Sequence, residues 1–288
     1  MAKLLLPDSA IDALESTVIL PNRHLNPSLG VIIKADAPKD DTSYLHSILK
    51  LGEKYNVNVI IRSDEDALQA HNSIEEFKAN PAINGIILLS HFGGADAALY
   101  RAIPTRLDID CLSPITLERL MANSSNIGYR LAPCAAVAVY KMLEYNGFDD
   151  LAGCNVAILG RSLRIGRPLA EILCQKNATI TLFHTKSPSD KFLEDYDIVI
   201  SAIGQPKEIS FCKSKYYDNT ENLLPQTIID VGINVDGNGK LCGDVDINSF
   251  PDSFTITPTP GGVGRLATVV LFCKVFYNSI NPLSGAEV

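Results

Sequence analysis

Basic charge is in short supply: 25 Lys and Arg stand against 33 Asp and Glu, a net charge of −8. Without a positive field a nucleic-acid partner is not expected. Paired metal ligands are missing too. The seven cysteines (111, 134, 154, 174, 212, 242 and 273) fall singly with no CxxC spacing, and the five histidines are equally isolated. That pattern offers no zinc framework, so no metal is expected. The odd thiol count, in apolar settings such as Ile172-Leu173-Cys174 and Leu271-Phe272-Cys273, predicts buried thiols in a reducing, cytoplasmic compartment. Met1-Ala2-Lys3-Leu4-Leu5-Leu6-Pro7 is too short an apolar run for a signal peptide. No apolar run approaches the ~18–20 residues of a membrane span, so a soluble chain is expected.

Alternating strand and helix signals are what the chain does contain. Apolar, β-branched runs at residues 29–34, 57–62 and 83–89 predict strands. Between them, residues 43–55 and 64–80 carry helical spacing, the second capped by Ser63 or Asp64. A helix over 132–145 ends at Asn146-Gly147, and residues 147–153 read as a hinge. The pattern then restarts, with strands at 155–159, 179–183, 198–201 and 227–231, a helix at 168–176 and a last helix at 266–278. Two α/β domains follow, with parallel sheets and a cleft between them. The expected boundaries are 1–146, completed by 266–288, and 147–265.

Two loops are too specified to be mere connectors. Gly160-Arg161-Ser162-Leu163-Arg164-Ile165-Gly166-Arg167-Pro168 follows a strand and opens a helix. Gly160 suits a sharp turn, Gly166 close approach of backbone to a phosphate, and Pro168 the first helical turn, whose amides favour an anion. It lacks the GxGxxG spacing, yet its strand–loop–helix context points to a dinucleotide. An NAD site favours a carboxylate after the next strand. His184-Thr185-Lys186 stands there instead, so NADP is expected over NAD, with Arg161 assisting at the 2′-phosphate. The second loop, Thr257-Pro258-Thr259-Pro260-Gly261-Gly262-Val263-Gly264, packs prolines and glycines that exclude helix and ordinary strand.

Together with Asp230-Val231-Gly232-Ile233-Asn234 and Gly243-Asp244-Val245-Asp246, these segments resemble the methylenetetrahydrofolate dehydrogenase/cyclohydrolase family. The match is tight from about residue 151 to 264 and looser before it. The resemblance implies a folate-facing domain, a Rossmann-like NADP domain and a homodimer. It assigns the cofactor to Gly160, Arg161, Ser162, Ile165, Gly166, the His184, Thr185 and Lys186 run, Ala202, Ile203, Gly204 and Ile233. It assigns the folate to Tyr44, which stacks on the substrate's ring, to Asp110 of Asp108-Ile109-Asp110, which grips the pterin, and to Pro260, Gly261, Gly262 and Val263. Pro133-Cys134 matches the start of a further family segment.

The resemblance also exposes a loss. The family's catalytic lysine lies four residues after the tyrosine, where this chain has Ile48, and its supporting glutamine falls on Leu89. Lys50 is six positions from Tyr44, about 600° around the helix, and faces elsewhere. Hydride transfer from methylenetetrahydrofolate rests largely on positioning, whereas methenyl hydrolysis needs an activated water. The expectation is therefore an NADP-dependent dehydrogenase with cyclohydrolase activity lost or very weak, Tyr44 and Asp110 serving the reaction. Of the two histidines that could substitute as a base, His91, after the third strand near the expected cleft, is the better candidate, since His46 faces away from Tyr44. The alternative is a non-catalytic dinucleotide- or folate-binding paralogue with a regulatory role.

Overall fold

The computed structural model describes residues 2–122, 128–187, 196–211 and 227–281; Cys212 and residues 282–288 lie outside them. The chain forms two compact units, one of Ile11–Cys134 with Thr268–Val288, the other of Met1–Ala10 with Ala135–Ala267. In chain order the strands are β1 (Lys3–Leu4), β2 (Ser28–Lys34), β3 (Asn58–Asp64), β4 (Ile83–Leu88), β5 (Asn155–Leu159), β6 (Thr179–Phe183), β7 (Ile198–Ser201), β8 (Thr227–Asp230), β9 (Asn234–Val235), β10 (Leu241–Cys242) and β11 (Thr255–Ile256).

The Ile11–Cys134 unit is built on a parallel sheet of order β3-β2-β4. Central β2 is buried on both faces, as its continuous apolar run requires. The Lys39–Tyr55 helix begins four residues before the predicted start at 43, with Pro38 at its N-cap and Asp40 and Asp41 in its first turn. Those carboxylates suit the positive end of the helix dipole. The Ala67–Ala79 helix is capped by Asp66, whose carboxylate accepts the Gln69 N–H, and not by Ser63 or Asp64. Asp64 instead closes β3, buried, with Ser73 Oγ donating to it at 3.1 Å. Ile32, Ile74, Phe77, Ile86 and Leu99 form the core on that side of the sheet, each contributing about 1.5–3 kcal/mol by burial.

The other unit carries a six-stranded parallel sheet of order β1-β11-β8-β7-β5-β6. From β5 the chain goes first to β6 on one side and then to β7 on the other. The strand order therefore reverses at β5, and in open α/β sheets ligands bind outside the carboxyl ends of the strands at such a point, here those of β5 and β7. Pairing of Lys3 with Thr255 brings the first residues into this sheet, although residues 1–146 were expected to stay together. The Cys134–Glu144 helix likewise falls in this unit from Ala135 onward. Two-residue β1 carries no periodicity of its own, and only its partner β11 defines it as a strand.

The C-terminal helix, Val263–Ile280, starts in this unit and belongs to the first from Thr268 onward. Its 18 residues, with mean hydropathy 1.3, are long and apolar enough to cross a membrane by length and composition. This corrects the expectation that nothing in the chain reaches that length; 67% of the stretch is buried within the protein. The thiols of Cys111, Cys134, Cys242 and Cys273 are buried as expected, whereas Cys174 is exposed. It ends the Gly166–Cys174 helix, where Ile172 and Leu173 take the inward face.

Candidate nucleotide and substrate sites

Gly160 follows β5 at φ +122°, and its amide donates to Phe183 O at 3.0 Å, beside the end of β6. A Cβ here would run into the carbonyl of Ala202, the residue after β7. The expected cofactor residues Gly160 and Ala202 therefore meet at the point where the strand order reverses. Ser162 Oγ accepts the Ile165 N–H at 3.1 Å and Ser162 O accepts from Arg167 N at 3.1 Å, closing a compact loop. This closure starts the helix at Gly166, two residues before the predicted 168. Gly166 is buried so closely against Gly160 that a side chain has no room. Arg161 and Ser162 are exposed at the mouth and Ile165 is half-buried. A glycine-lined turn against a nine-residue helix fits a bound dinucleotide phosphate.

His184, Thr185 and Lys186 follow β6 directly, beside the Gly160 turn. The Lys186 amide donates to His184 Nδ1 at 3.1 Å, and the His184 amide donates to Ser187 Oγ at 3.0 Å. The run is thus a closed turn with Thr185 and Lys186 exposed, and it holds no carboxylate.

Two buried aspartates shape the remaining nucleotide-side loops. Asp244 accepts from Ser201 Oγ (2.8 Å), Ile203 N (2.9 Å), Gln205 N (3.0 Å) and Asn234 Nδ2 (2.9 Å). Asp230 accepts the amides of Gly232, Asp244 and Val245, each at 3.0 Å. A Cβ on Gly232 would strike the Asp244 carboxylate, and one on Gly243 the Asp230 carboxylate. Ala202, Ile203, Gly204 and Ile233 are therefore positioned by carboxylates the chain itself satisfies. Burial outweighs these donors at Asp230 and pushes its pKa up to about 6. Thr257 Oγ1 accepts the Asp230 amide at 2.7 Å, tying the proline–glycine loop to the same network. Pro260 and Gly261 are exposed, Gly262 is buried, and Val263 opens the C-terminal helix where the motif had predicted loop through Gly264. The quoted motifs name Asp230 and Asp244, but their positioning roles were not read from them.

In the Ile11–Cys134 unit the carboxyl ends of β2 and β4 are joined by Ser90, which accepts the Lys34 N–H (3.1 Å) and donates to Asp41 (2.7 Å). Asp41 belongs to the first turn of the helix that carries Tyr44, itself half-buried. One helical turn along, Ile48 is completely buried, and Leu89 is 6% exposed. Lys50 and His46 are exposed, with His46 Nδ1 against Thr42 O at 2.7 Å. His91 Nδ1 meets Asp96 Oδ2 at 2.7 Å in an exposed pair.

The two aspartates of Asp108-Ile109-Asp110 have different work. Asp108 is buried and accepts from Leu112 N, Ser113 N and Thr116 Oγ1, a turn-holding role, with burial raising its pKa. Asp110 stays half-buried at the end of that turn. Lys274, which no motif flagged, is also buried in this unit, its ammonium donating to Ile109 O at 3.1 Å. A single lysine in the apolar run Leu271-Phe272-Cys273-Lys274-Val275-Phe276 was the available signal.

Residues 133–281 match the family described as tetrahydrofolate dehydrogenase/cyclohydrolase, NAD(P)-binding domain. The bifunctional protein FolD of Clostridium botulinum (strain Kyoto / Type A2) is 34% identical over 261 residues, which covers 88% of this chain and 87% of the relative. Among solved structures, the bifunctional 5,10-methylenetetrahydrofolate dehydrogenase/cyclohydrolase of Thermoplasma acidophilum superposes with TM-score 0.78 at 26% identity, covering 96% of this chain and 98% of that one. The FolD dehydrogenase/cyclohydrolase of Campylobacter jejuni reaches TM-score 0.84 at 22% identity, over 98% and 100% of the two chains. The chain, with its reversed-order sheet and glycine turn, belongs to the tetrahydrofolate dehydrogenase/cyclohydrolase (FolD) family.

Proposed function

We propose that the chain is an NADP-dependent methylenetetrahydrofolate dehydrogenase of one-carbon metabolism in which methenyl hydrolysis is lost or very weak. The observation that carries this reading is the buried apolar pair Ile48 and Leu89. They stand where the family resemblance requires a lysine and a glutamine, while the dinucleotide cradle and its aspartates are intact. Support for the substrate comes from the 34%-identical FolD relative and the Thermoplasma enzyme.

When bound, the nicotinamide supplies the hydride acceptor. The glycine turn and the helix N-terminus hold the phosphates, and the loops fixed by Asp230 and Asp244 orient the remainder. Tyr44 packs on the folate ring. Asp110 accepts hydrogen bonds from its amino-pyrimidine edge, since an ionised carboxylate receives two parallel donors well. None of these tasks requires a side chain to take a proton, so dehydrogenation survives the loss at position 48. Hydrolysis does not, because acid–base assistance there is worth about 10²–10⁴-fold. The preference for NADP follows from His184, Thr185 and Lys186 standing where NAD would favour a carboxylate. The resemblance alone supports a cytoplasmic homodimer.

The deciding assay supplies methylenetetrahydrofolate with NADP or NAD and follows reduced nicotinamide and methenyl absorbance separately. Both signals should rise, with the methenyl species persisting. Dinucleotide binding without either signal would favour the non-catalytic paralogue. The variant Ile48→Lys/Leu89→Gln should accelerate methenyl decay. An unchanged decay would mean that the pocket has diverged beyond these two positions.

A further inference from the structure

The helix segment 271–276 has an apolar sequence on every side of Lys274, so a methionine here would fill the same space without removing a charge from water. Lys274 is only 5% exposed. Its ammonium donates to Ile109 O, to Ala132 O and to Cys111 Sγ at 3.2 Å. One cation thus joins the turn that ends in Asp110 to the segment that precedes Pro133-Cys134. The thiols close around it. Cys111 donates to Arg130 O at 3.0 Å and Cys134 to Ile109 O at 3.4 Å. Cys111 itself sits at φ +54°, a left-handed conformation that a non-glycine residue adopts only when its surroundings hold it there.

Charge arranges the same elements. Burial alone would strip the proton from Lys274, yet its pKa is raised, through the two thiols and the Asp110 carboxylate that face it. Burial in turn raises both thiols, Cys111 up to about 12. Asp110 acts on the same ammonium through space, while the backbone beside it is hydrogen-bonded to Nζ.

We infer that Lys274 is a positioning residue for substrate recognition: its buried ammonium fixes the turn at residues 109–111, so that Asp110 presents its carboxylate to the amino-pyrimidine edge of the folate. The inference rests on the functional reading above, in which Asp110 grips that edge. Its effect belongs to substrate affinity and not to the chemical step, because Asp110 holds the substrate equally before and during hydride transfer.

The test is steady-state kinetics of wild type, Lys274→Met, Asp110→Asn and the double variant, with melting temperatures recorded beside them. Lys274→Met should raise KM for methylenetetrahydrofolate roughly 10–50-fold, keep kcat within about threefold, and leave KM for the dinucleotide unchanged. In the double variant the two KM effects should fail to multiply, because Lys274 acts through Asp110. A lowered melting temperature with unchanged folate KM, or KM effects that multiply fully, overturns the inference and leaves the dehydrogenase reading standing. Absence of turnover and of tetrahydrofolate binding in wild type sinks that reading itself, and this inference with it. Lys274→Gln takes the same measurements if the methionine variant does not fold. Independently, the Lys274 ammonium resonance of ¹⁵N-lysine-labelled wild type should move on adding tetrahydrofolate; a stationary resonance under saturating ligand overturns the proposal.

Discussion

In the Ala135–Ala267 unit the carboxylates of Asp230 and Asp244 are buried and accept the chain's own amides, whereas in the Ile11–Cys134 unit Tyr44 and Asp110, which the proposed function gives to the folate, are half-buried. The first arrangement ties nucleotide-side loops to folding itself. Removing one aspartate leaves buried donors unsatisfied, and adding one methyl group to Gly232 or Gly243 displaces a carboxylate. The second arrangement is more permissive. On the proposed reading, Ile48 and Leu89 stand buried where a lysine and a glutamine would serve hydrolysis, so that chemistry can go while the fold persists.

The sharpest way to break this contrast is Asp244→Ala. Four donors lose their acceptor at once, and the expected cost is about 3–5 kcal/mol of stability, because one buried hydroxyl and three part-buried amides are left without it. Chemical denaturation should show that loss, and calorimetric titration should show dinucleotide binding abolished. Intact binding in a folded variant would mean that residues 201–205 do not depend on the carboxylate.

Next in size is a pH effect from the same network. Burial pushes the Asp230 pKa up to about 6 in the folded chain, above the ordinary aspartate value of 3.8. The folded state therefore holds the proton more tightly than the unfolded state. The stability this group contributes is fully present below about pH 4 and is lost as pH rises through about 6. The shift corresponds to about 3 kcal/mol. Other acids add slopes of their own, so the check is the difference in unfolding free energy between wild type and Asp230→Asn across pH 4–7. Identical slopes would place the Asp230 pKa near the unfolded value.

A smaller effect probes cofactor choice. Lys186→Glu puts a carboxylate where an NAD site favours one, beside the Gly160 turn. The ratio of NADP to NAD turnover should fall roughly 10–100-fold, the range of one charge-assisted hydrogen bond. An unchanged ratio would detach Lys186 from the 2′-phosphate and leave Arg161 as the remaining candidate.

The strands that carry these sites were legible because buried parallel strands are continuous apolar runs: β5, β6 and β7 begin and end where the sequence predicts. The glycine turn was legible because only glycine tolerates the conformation at Gly160. What escaped depends on partners distant in sequence. Strand β1 exists through Thr255 and Ile256, some 250 residues away. The cap at Asp66 was missed because Asp64 looks equally suitable until Ser73 is seen to occupy it. Lys274 escaped for the same reason, since its acceptors lie on turns more than 140 residues earlier.

His91 gives the smallest expected effect and the most direct test of whether the substrate half kept any base. Its Nδ1 meets Asp96 at 2.7 Å, and the other Asp96 oxygen accepts the Phe92 amide at 2.6 Å, so the ring is oriented as a general base would need. The same contacts have a simpler account: Asp96 opens the Asp96–Ala102 helix and closes the loop after β4. The His91 side chain is 70% exposed, and an ion pair so open to water is worth less than about 1 kcal/mol. A base that activates one particular water must hold it away from bulk solvent, which so exposed a ring does not do. His91→Ala should therefore leave the methenyl lifetime and the dehydrogenase rate unchanged, with a melting temperature close to wild type. A methenyl species that persists longer in the variant than in wild type would show that His91 had taken over part of the work Ile48 cannot do.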